Sequence, residues 1–289
     1  MAGGLTFFSK APIECPVCED KIFQEQMRTG RGRQIAGDLS VELRRAYQPS
    51  KQYGAVYPLN YSVLVCPGCY YAALIEDFKN TPPAAVEPLQ ERSQDRRDAM
   101  FDILPALDFT QERGLEEGLA SYILATMSYE FYPADRSPHF KQGLCQLRGA
   151  WLANDLHAIN PSENFDYLAS VLYRKARYFY MLAVEGEQDG SQPLASAGSL
   201  GPDLDKNYGF DGLLYMRGLL EYRYGPRSDA AVRNEQMVKA KRLVARIFGM
   251  GKASRDKPAA ILDNARELYD QINTELGETN PDPEQDAKA

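Results

Sequence analysis

Two Cys-Pro-x-Cys motifs constrain this 289-residue chain more than any other feature of its sequence. The first contains Cys15 and Cys18, and the second contains Cys66 and Cys69. Two cysteines three residues apart can bind the same ion when the backbone between them turns tightly, and a proline after the first cysteine favours such a turn. Four thiolates in a tetrahedron are the usual ligands of a structural zinc ion. We therefore predict one zinc ion bound by these four side chains, with iron as an alternative because four thiolates suit either metal.

The all-cysteine ligand set favours a structural ion over a catalytic one. Four sulfur ligands close the coordination shell and leave no position for water or substrate. A thioredoxin-like redox pair is the alternative, but such a pair normally accompanies a βαβ pattern, which the sequence does not show. Residues 19–65 separate the two motifs, whereas a compact zinc ribbon separates them by about 15–20 residues. We therefore expect a β insertion whose ends return to bring the motifs together.

The sequence gives no sign of export or of a membrane span. Residues 1–15 lack the charged start and the long apolar stretch of a signal peptide. No run approaches the roughly 18–20 apolar residues that cross a bilayer. We expect a cytoplasmic protein, in which thiols stay reduced and paired cysteines hold a metal more often than they form a disulfide.

The pattern of apolar residues along the chain changes at about residue 84. Before it, residues 61–65 are rich in Tyr, Val and Leu and run straight into Cys66, as a strand that feeds a metal turn would. After it, apolar residues recur every three or four positions, which is the helical period. The sequence predicts helices at 86–104, 111–132, 137–158, 162–186, 207–224, 228–249 and 257–276.

These patterns predict a mainly α fold. A small β-containing, zinc-ribbon-like module at residues 1–80 precedes a tetratricopeptide-like (TPR-like) antiparallel helical array at 84–276, and the polar, acidic segment 277–289 forms a disordered tail. Ala176, Tyr180 and Ala183 match the second helix of a tetratricopeptide repeat. Similar triplets recur at irregular intervals instead of every 34 residues. Repeat ancestry therefore stays open against a simpler interpretation, in which small residues merely let two helices approach.

Five short segments follow one another in a distinctive order through the N-terminal region. They are FSK at 8–10, CPVC at 15–18, YPLNYSVLV at 57–65, CPGC at 66–69 and YYAA at 70–73. This order resembles the bacterial domain-of-unknown-function family 2225, most specifically over residues 7–75 and more weakly through 270. The resemblance implies a paired-knuckle zinc module followed by TPR-like helices, and it implies no reaction because the family has no established activity. Family members commonly carry glycine directly after the second motif, where this chain has Tyr70.

A cluster of arginines between the motifs is a candidate phosphate or nucleic-acid patch. It consists of Arg28, Arg31 and Arg33, with Arg44 and Arg45 further along. Zinc ribbons often contact nucleic acids, and phosphate contacts need a basic face. The chain as a whole carries a formal net charge of −7, which argues against a protein whose main partner is nucleic acid. Nucleic-acid association is therefore the alternative hypothesis.

The function that the sequence favours is protein–protein interaction. Several of the 18 tyrosines cluster in the helical part, and tyrosine serves both in helix packing and in protein-binding grooves. No HExxH, GxSxG or P-loop motif occurs, and Cys145 lies in a helical pattern as a small buried residue would. We therefore expect a zinc-containing scaffold with a protein or peptide partner and no enzymatic activity, with an uncharacterised enzyme as the second alternative.

Overall fold

The computed structural model describes residues 4–248 and 257–278, and the predicted disordered tail lies outside them except for its first two residues. The described part of the chain is mainly helical, as predicted, with short antiparallel strands confined to residues 6–74. The strands are β1 Thr6–Phe8, β2 Ile13–Glu14, β3 Lys21–Ile22, β4 Glu25–Met27, β5 Ile35–Leu39, β6 Arg45–Gln48, β7 Val63–Val65 and β8 Ala72–Leu74. The helices are α1 Ile75–Lys79, α2 Pro83–Glu91, α3 Ser93–Ile103, α4 Leu115–Tyr129, α5 Pro138–Ile159, α6 Phe165–Asp189, α7 Gly209–Tyr224, α8 Ala230–Phe248 and α9 Ala259–Leu276.

The six long helices from α4 onward confirm the helical period to within a few residues at each end. The single helix predicted at 86–104 was wrong, because the chain breaks at Arg92 and forms α2 and α3 instead. Pro88 removes a backbone donor from α2. The sequence also missed α1, which follows β8 directly. Among the described residues, no helix has both the length and the apolar character that a membrane crossing requires.

The strands pair two by two, and this pairing forms the β insertion that the sequence predicts. The antiparallel pairs are β1–β4, β2–β3, β5–β6 and β7–β8. The β2–β3 hairpin carries the first cysteine motif in its turn, and the β7–β8 hairpin carries the second. The β5–β6 hairpin lies between them in the chain. The strand predicted at 61–65 begins later than expected, because Pro58–Tyr61 forms a turn of 3₁₀-helix.

Consecutive helices pack against each other from α4 through α9, and α7 also contacts α9. The residues of the TPR-like triplet, Ala176, Tyr180 and Ala183, are all buried in α6, as close helix packing requires. Buried side chains of the strand region and of the helices form one continuous core. The division into a module at 1–80 and an array at 84–276, and a true repeat ancestry, stay predictions.

Tyrosines on and just after α4 fasten the second cysteine hairpin to the helices. Tyr129 Oη accepts a 3.0 Å hydrogen bond from the Leu74 backbone N–H and donates a 2.7 Å bond to Asp77. The hydroxyl groups of Tyr71 and Tyr132 lie 2.6 Å apart. These bonds satisfy buried polar groups and fix β8 against α4, so part of the tyrosine excess holds the two regions together.

The turn of the β5–β6 hairpin, residues 40–44, is called the hairpin tip below. It lies against the helical array, where Tyr215 Oη donates a 2.6 Å hydrogen bond to the Val41 carbonyl. The Glu42 side chain is buried and meets Trp151 and Tyr173. Arg44 forms an ion pair with Asp155. The insertion between the cysteine motifs is therefore the element that connects the strand region to α5, α6 and α7.

Candidate metal centre

The two cysteine motifs adopt the same backbone turn. In the first, the Cys15 N–H donates to the Asp20 carbonyl at 2.8 Å and the Glu19 N–H donates to the Cys15 carbonyl at 2.9 Å. In the second, the Cys66 N–H donates to the Tyr71 carbonyl, and the Tyr70 N–H donates to the Cys66 carbonyl, both at 2.9 Å. Each turn closes a two-stranded hairpin and directs both of its cysteines to the same side. The sequence spacing thus produces two equivalent knuckles.

Both knuckles end on a residue in the left-handed backbone region. The φ angles are 66° at Glu19 and 56° at Tyr70. A side chain at such a position costs roughly 1–2 kcal/mol, which explains why glycine suits the residue after the second motif. Here the Tyr70 ring packs edge-on against Phe109 at 5.5 Å. A Cβ at Gly68 would meet the carboxylate of Asp20, an exposed side chain that would have to rotate away.

The two knuckles face each other and bring all four predicted ligands together. The Sγ atoms of Cys15 and Cys69 lie 3.7 Å apart, and those of Cys18 and Cys66 lie 3.5 Å apart. All four sulfur atoms are within 4.8 Å of one another. A tetrahedron with metal–sulfur bonds of about 2.3 Å has sulfur–sulfur edges of about 3.8 Å. The cluster therefore fits a single four-coordinate metal ion.

Burial and mutual hydrogen bonding prepare the cluster for a cation. Cys15 and Cys66 are fully buried and Cys69 is nearly so. Hydrogen bonds with Cys15 and Cys66 lower the pKa of Cys69, whereas hydrogen bonds with Cys66 and Cys69 raise the pKa of Cys15. Metal binding removes the protons of the ligating thiols.

A buried arginine that sequence reasoning missed lies beside the cluster. Arg96 on α3 is 1% exposed, and its Nη2 donates to the carbonyls of Cys69 at 3.0 Å and Leu89 at 2.7 Å. Burial lowers the pKa of Arg96, and the charges of the nearby sulfur atoms partly offset this effect. The next residue, Arg97, donates to the Gly68 carbonyl. Four thiolates around a divalent ion carry a net charge of −2, which the Arg96 guanidinium reduces.

The three arginines of the predicted basic patch lie in different environments in the structure. Arg31 is exposed in the loop before β5, and Arg28 lies over the Phe7 ring at 4.8 Å. Arg33 is buried and donates to the carbonyls of Gly4 and Gly30. Arg28, Arg31 and Arg33 therefore do not present three equivalent side chains to a phosphate backbone.

The two other arginines of the prediction, Arg44 and Arg45, pair with carboxylates of the helical region. Arg44 forms an ion pair with Asp155, and Arg45 forms one with Asp205 at 2.9 Å.

Cys145, outside the cluster, is fully buried in α5, and burial raises the pKa of its thiol to about 12. It is a packed core residue, as expected.

Comparison with known proteins agrees with the resemblance seen in the sequence. The family model described as "Uncharacterized protein conserved in bacteria (DUF2225)" matches residues 8–272. An uncharacterized protein of Borreliella burgdorferi (strain ATCC 35210 / DSM 4680 / CIP 102532 / B31) is 41% identical over 274 residues, which cover 94% of this chain and 98% of the relative. No solved structure matches the chain significantly. The match spans the knuckles and the helices alike, and the chain belongs to the DUF2225 family of proteins conserved in bacteria.

Proposed function

We propose that this protein is a protein-interaction scaffold in which one structural zinc ion fixes the cysteine hairpins on the helical array. Zinc is the proposed metal because four thiolates in a buried, tetrahedral arrangement are its usual structural environment. The proposal assigns no reaction to the ion, since four sulfur ligands leave it no open position for water. Its task is to hold the two hairpins, and with them the hairpin tip, against the helices.

The observation that carries the proposed interaction is an open groove formed by α4, α5 and α6, called the α4–α6 groove. It has a volume of about 790 Å³ and a mainly apolar and aromatic lining. Tyr178 in this groove is 49% exposed, and an exposed aromatic side chain in a concave surface is typical of a binding site. Its lining includes Ile123, Met127, Tyr129, Tyr132, Phe179 and Leu182.

A buried amide in the groove indicates the chemistry of the ligand. Gln146 is 3% exposed, and within the described part of the chain its buried Oε1 accepts no hydrogen bond. A buried polar group without a partner is costly. Glu130 and Lys175 also line the groove without an ion pair among the described residues. A peptide segment supplies what this surface requires. A peptide N–H can donate to the Gln146 Oε1, and the side chains of the peptide can cover the apolar lining.

The tyrosine-rich surface around α7 is not the proposed binding face. Tyr173 donates a hydrogen bond to Glu42 of the hairpin tip at 2.9 Å, and Tyr215 donates to Val41. The chain's own insertion therefore covers this surface. The α4–α6 groove leaves the Tyr178 side chain exposed and available to a partner.

A photo-crosslinking experiment in the native bacterium tests this proposal. A benzoylphenylalanine at Tyr178 should give a discrete adduct with one protein, and Gln146→Leu should weaken it. A probe at Tyr167, which is 70% exposed on the same helix, is the matched control and should give no such adduct. A synthetic peptide from the captured protein should then bind the purified chain. The same peptide should bind the Gln146→Leu variant with lower affinity. No adduct at Tyr178, or identical adducts at both positions, would contradict the proposal.

A further inference from the structure

A second concave site lies where α6 passes the C-terminal end of α7. It has a volume of about 400 Å³, and four arginines line it together with Ser170 and Tyr224. No Asp or Glu side chain lies in this lining, although the chain is acidic overall. The four residues, called the arginine pocket, are Arg174 and Arg177 from α6, Arg223 from α7 and Arg227 from the following loop.

The carboxylates that contact these arginines do not neutralise them. Arg177 pairs with Glu221 at 2.9 Å, but Arg217 also pairs with that carboxylate at 2.8 Å. Arg223 pairs with Glu42 at 2.8 Å. Arg174 makes no hydrogen bond or ion pair with any residue that the structure describes. The pocket therefore keeps an excess of positive charge and several unused N–H donors.

The end of helix α7 explains only part of this arrangement. The partial negative charge at a helix C-terminus attracts cations, and Arg227 donates to the Tyr222 carbonyl at 3.0 Å. Arg174 and Arg177 belong to the middle of α6, where no helix end requires them. Placing like charges three residues apart on one helix is unfavourable. Glu221 offsets the charge of Arg177, whereas Arg174 forms no ion pair with a described residue, so an anion in the pocket would stabilise it.

We propose that the arginine pocket binds the phosphate group of a small phosphorylated molecule. Guanidinium groups match phosphate oxygens with paired hydrogen bonds, and the Ser170 hydroxyl supplies one more donor. Tyr224 forms a rigid wall, because its ring stacks on Tyr173 at 4.3 Å and 8°. The pocket volume falls within the range of small-molecule sites. A nucleic-acid strand needs an extended basic track instead.

Calorimetric titration of the full, metal-loaded chain at low ionic strength tests this site. Pyrophosphate should bind saturably and more tightly than inorganic phosphate, and added salt should weaken both. Arg174→Ala should weaken pyrophosphate binding about tenfold. This variant should fold normally, because Arg174 is exposed and has no hydrogen bond or ion pair within the described residues. Arg266→Ala on α9, whose side chain is 65% exposed, removes the same charge elsewhere and should leave binding unchanged.

Three results would overturn the inference. They are the absence of saturable binding of either probe, an equal loss in Arg174→Ala and Arg266→Ala, and tighter binding of a 20-nucleotide single strand than of pyrophosphate. The last result would assign the arginines to nucleic acid. None of them bears on the α4–α6 groove, so the proposed function and this inference can fail separately.

Discussion

Glu42 accepts a 2.8 Å hydrogen bond from Arg223, although the two residues lie 181 positions apart in the chain. The same carboxylate accepts hydrogen bonds from Trp151 and Tyr173. One side chain of the hairpin tip therefore meets donors from α5, α6 and α7. A buried carboxylate is stable only when charges and hydrogen bonds compensate its lost hydration, so the position of the tip and the arrangement of the three helices depend on each other.

Glu42→Ala should lower the free energy of unfolding by about 2–4 kcal/mol. The variant leaves Trp151, Tyr173 and Arg223 without their acceptor, and unpaired buried donors carry most of that cost. Urea denaturation followed by circular dichroism measures the change. Glu163→Ala, at an exposed glutamate before α6, is the control and should change stability by less than about 0.5 kcal/mol. Equal effects of the two substitutions would show that the tip does not hold the helices.

Cys66→Ser should abolish binding of the metal ion and unfold chiefly residues 1–75. The strands that the structure describes in this segment pair only two by two, and so short a segment buries too little apolar surface to fold without further constraint. The measured metal content should fall from about one ion per chain to near zero. In limited proteolysis, the first cuts should lie in the hairpins. Cys145→Ala removes a buried cysteine outside the cluster and should keep the metal. Full metal content in Cys66→Ser would refute the four-cysteine assignment.

Arg96→Met should weaken metal binding about 10- to 100-fold, the usual effect of removing a group that supports metal ligands. Methionine keeps most of the buried volume but removes the positive charge and the donor to the Cys69 carbonyl. Competition with a chelator of known affinity measures the difference. Arg92→Met is the control, because the Arg92 side chain is 63% exposed and its ion pair within the described chain is with the exposed Asp95. Similar affinities in both variants would mean that Arg96 only fills space.

The sequence predicted the centre more completely than its surroundings. Two knuckles with identical spacing and proline placement identify the four cysteines that cluster and could hold a metal ion, because a tetrahedral thiolate site tolerates few other arrangements. Arg96 escaped notice because it lies in SQDRRDAMFDI, a segment that looks like the solvated face of a helix. Its burial depends on how α3 packs against the second knuckle. That packing is a tertiary effect with no signature in local sequence.

The hairpin tip was unpredictable for a related reason. Glu42 and Arg44 look like ordinary charged residues of a turn, and the sequence alone predicts that Arg44 belongs to a basic patch. Their partners lie on helices more than 100 residues away in the chain. The long helices, in contrast, were predicted well because each one carries its own apolar period. Local patterns thus identified the elements, and contacts between distant segments decided how they pack.

Tyr70→Gly should be more stable than Tyr70→Ala by about 1 kcal/mol. Both variants lose the contact with Phe109, but only glycine relieves the strain of a positive φ at this position. The comparison of thermal unfolding between the two variants isolates the backbone effect. At Arg266, in the middle of α9, the order should reverse, because alanine favours a helix over glycine by a similar amount. The same order at both positions would contradict the left-handed conformation of Tyr70.

The ion pair between Glu275 and Arg233 should make the attachment of α9 dependent on pH. Arg233 is nearly buried, and its Nε and Nη2 donate to the Glu275 carboxylate at 2.5 and 2.9 Å. These hydrogen bonds lower the pKa of Glu275 below its ordinary value of 4.5. The ionised carboxylate therefore stabilises the native state above pH 4.5, and this contribution disappears as the pH falls through the lowered pKa.

Urea denaturation of the wild type and of Glu275→Gln at several pH values measures this contribution directly. At neutral pH the wild type should be more stable by about 1 kcal/mol. The difference should shrink below pH 4.5 and vanish in stronger acid, because the protonated glutamate then resembles the glutamine. Glu267→Gln, at an exposed position of the same helix, should differ little from the wild type throughout. A difference for Glu275→Gln that persists unchanged in acid would mean that the carboxylate stabilises α9 by packing and not by its charge.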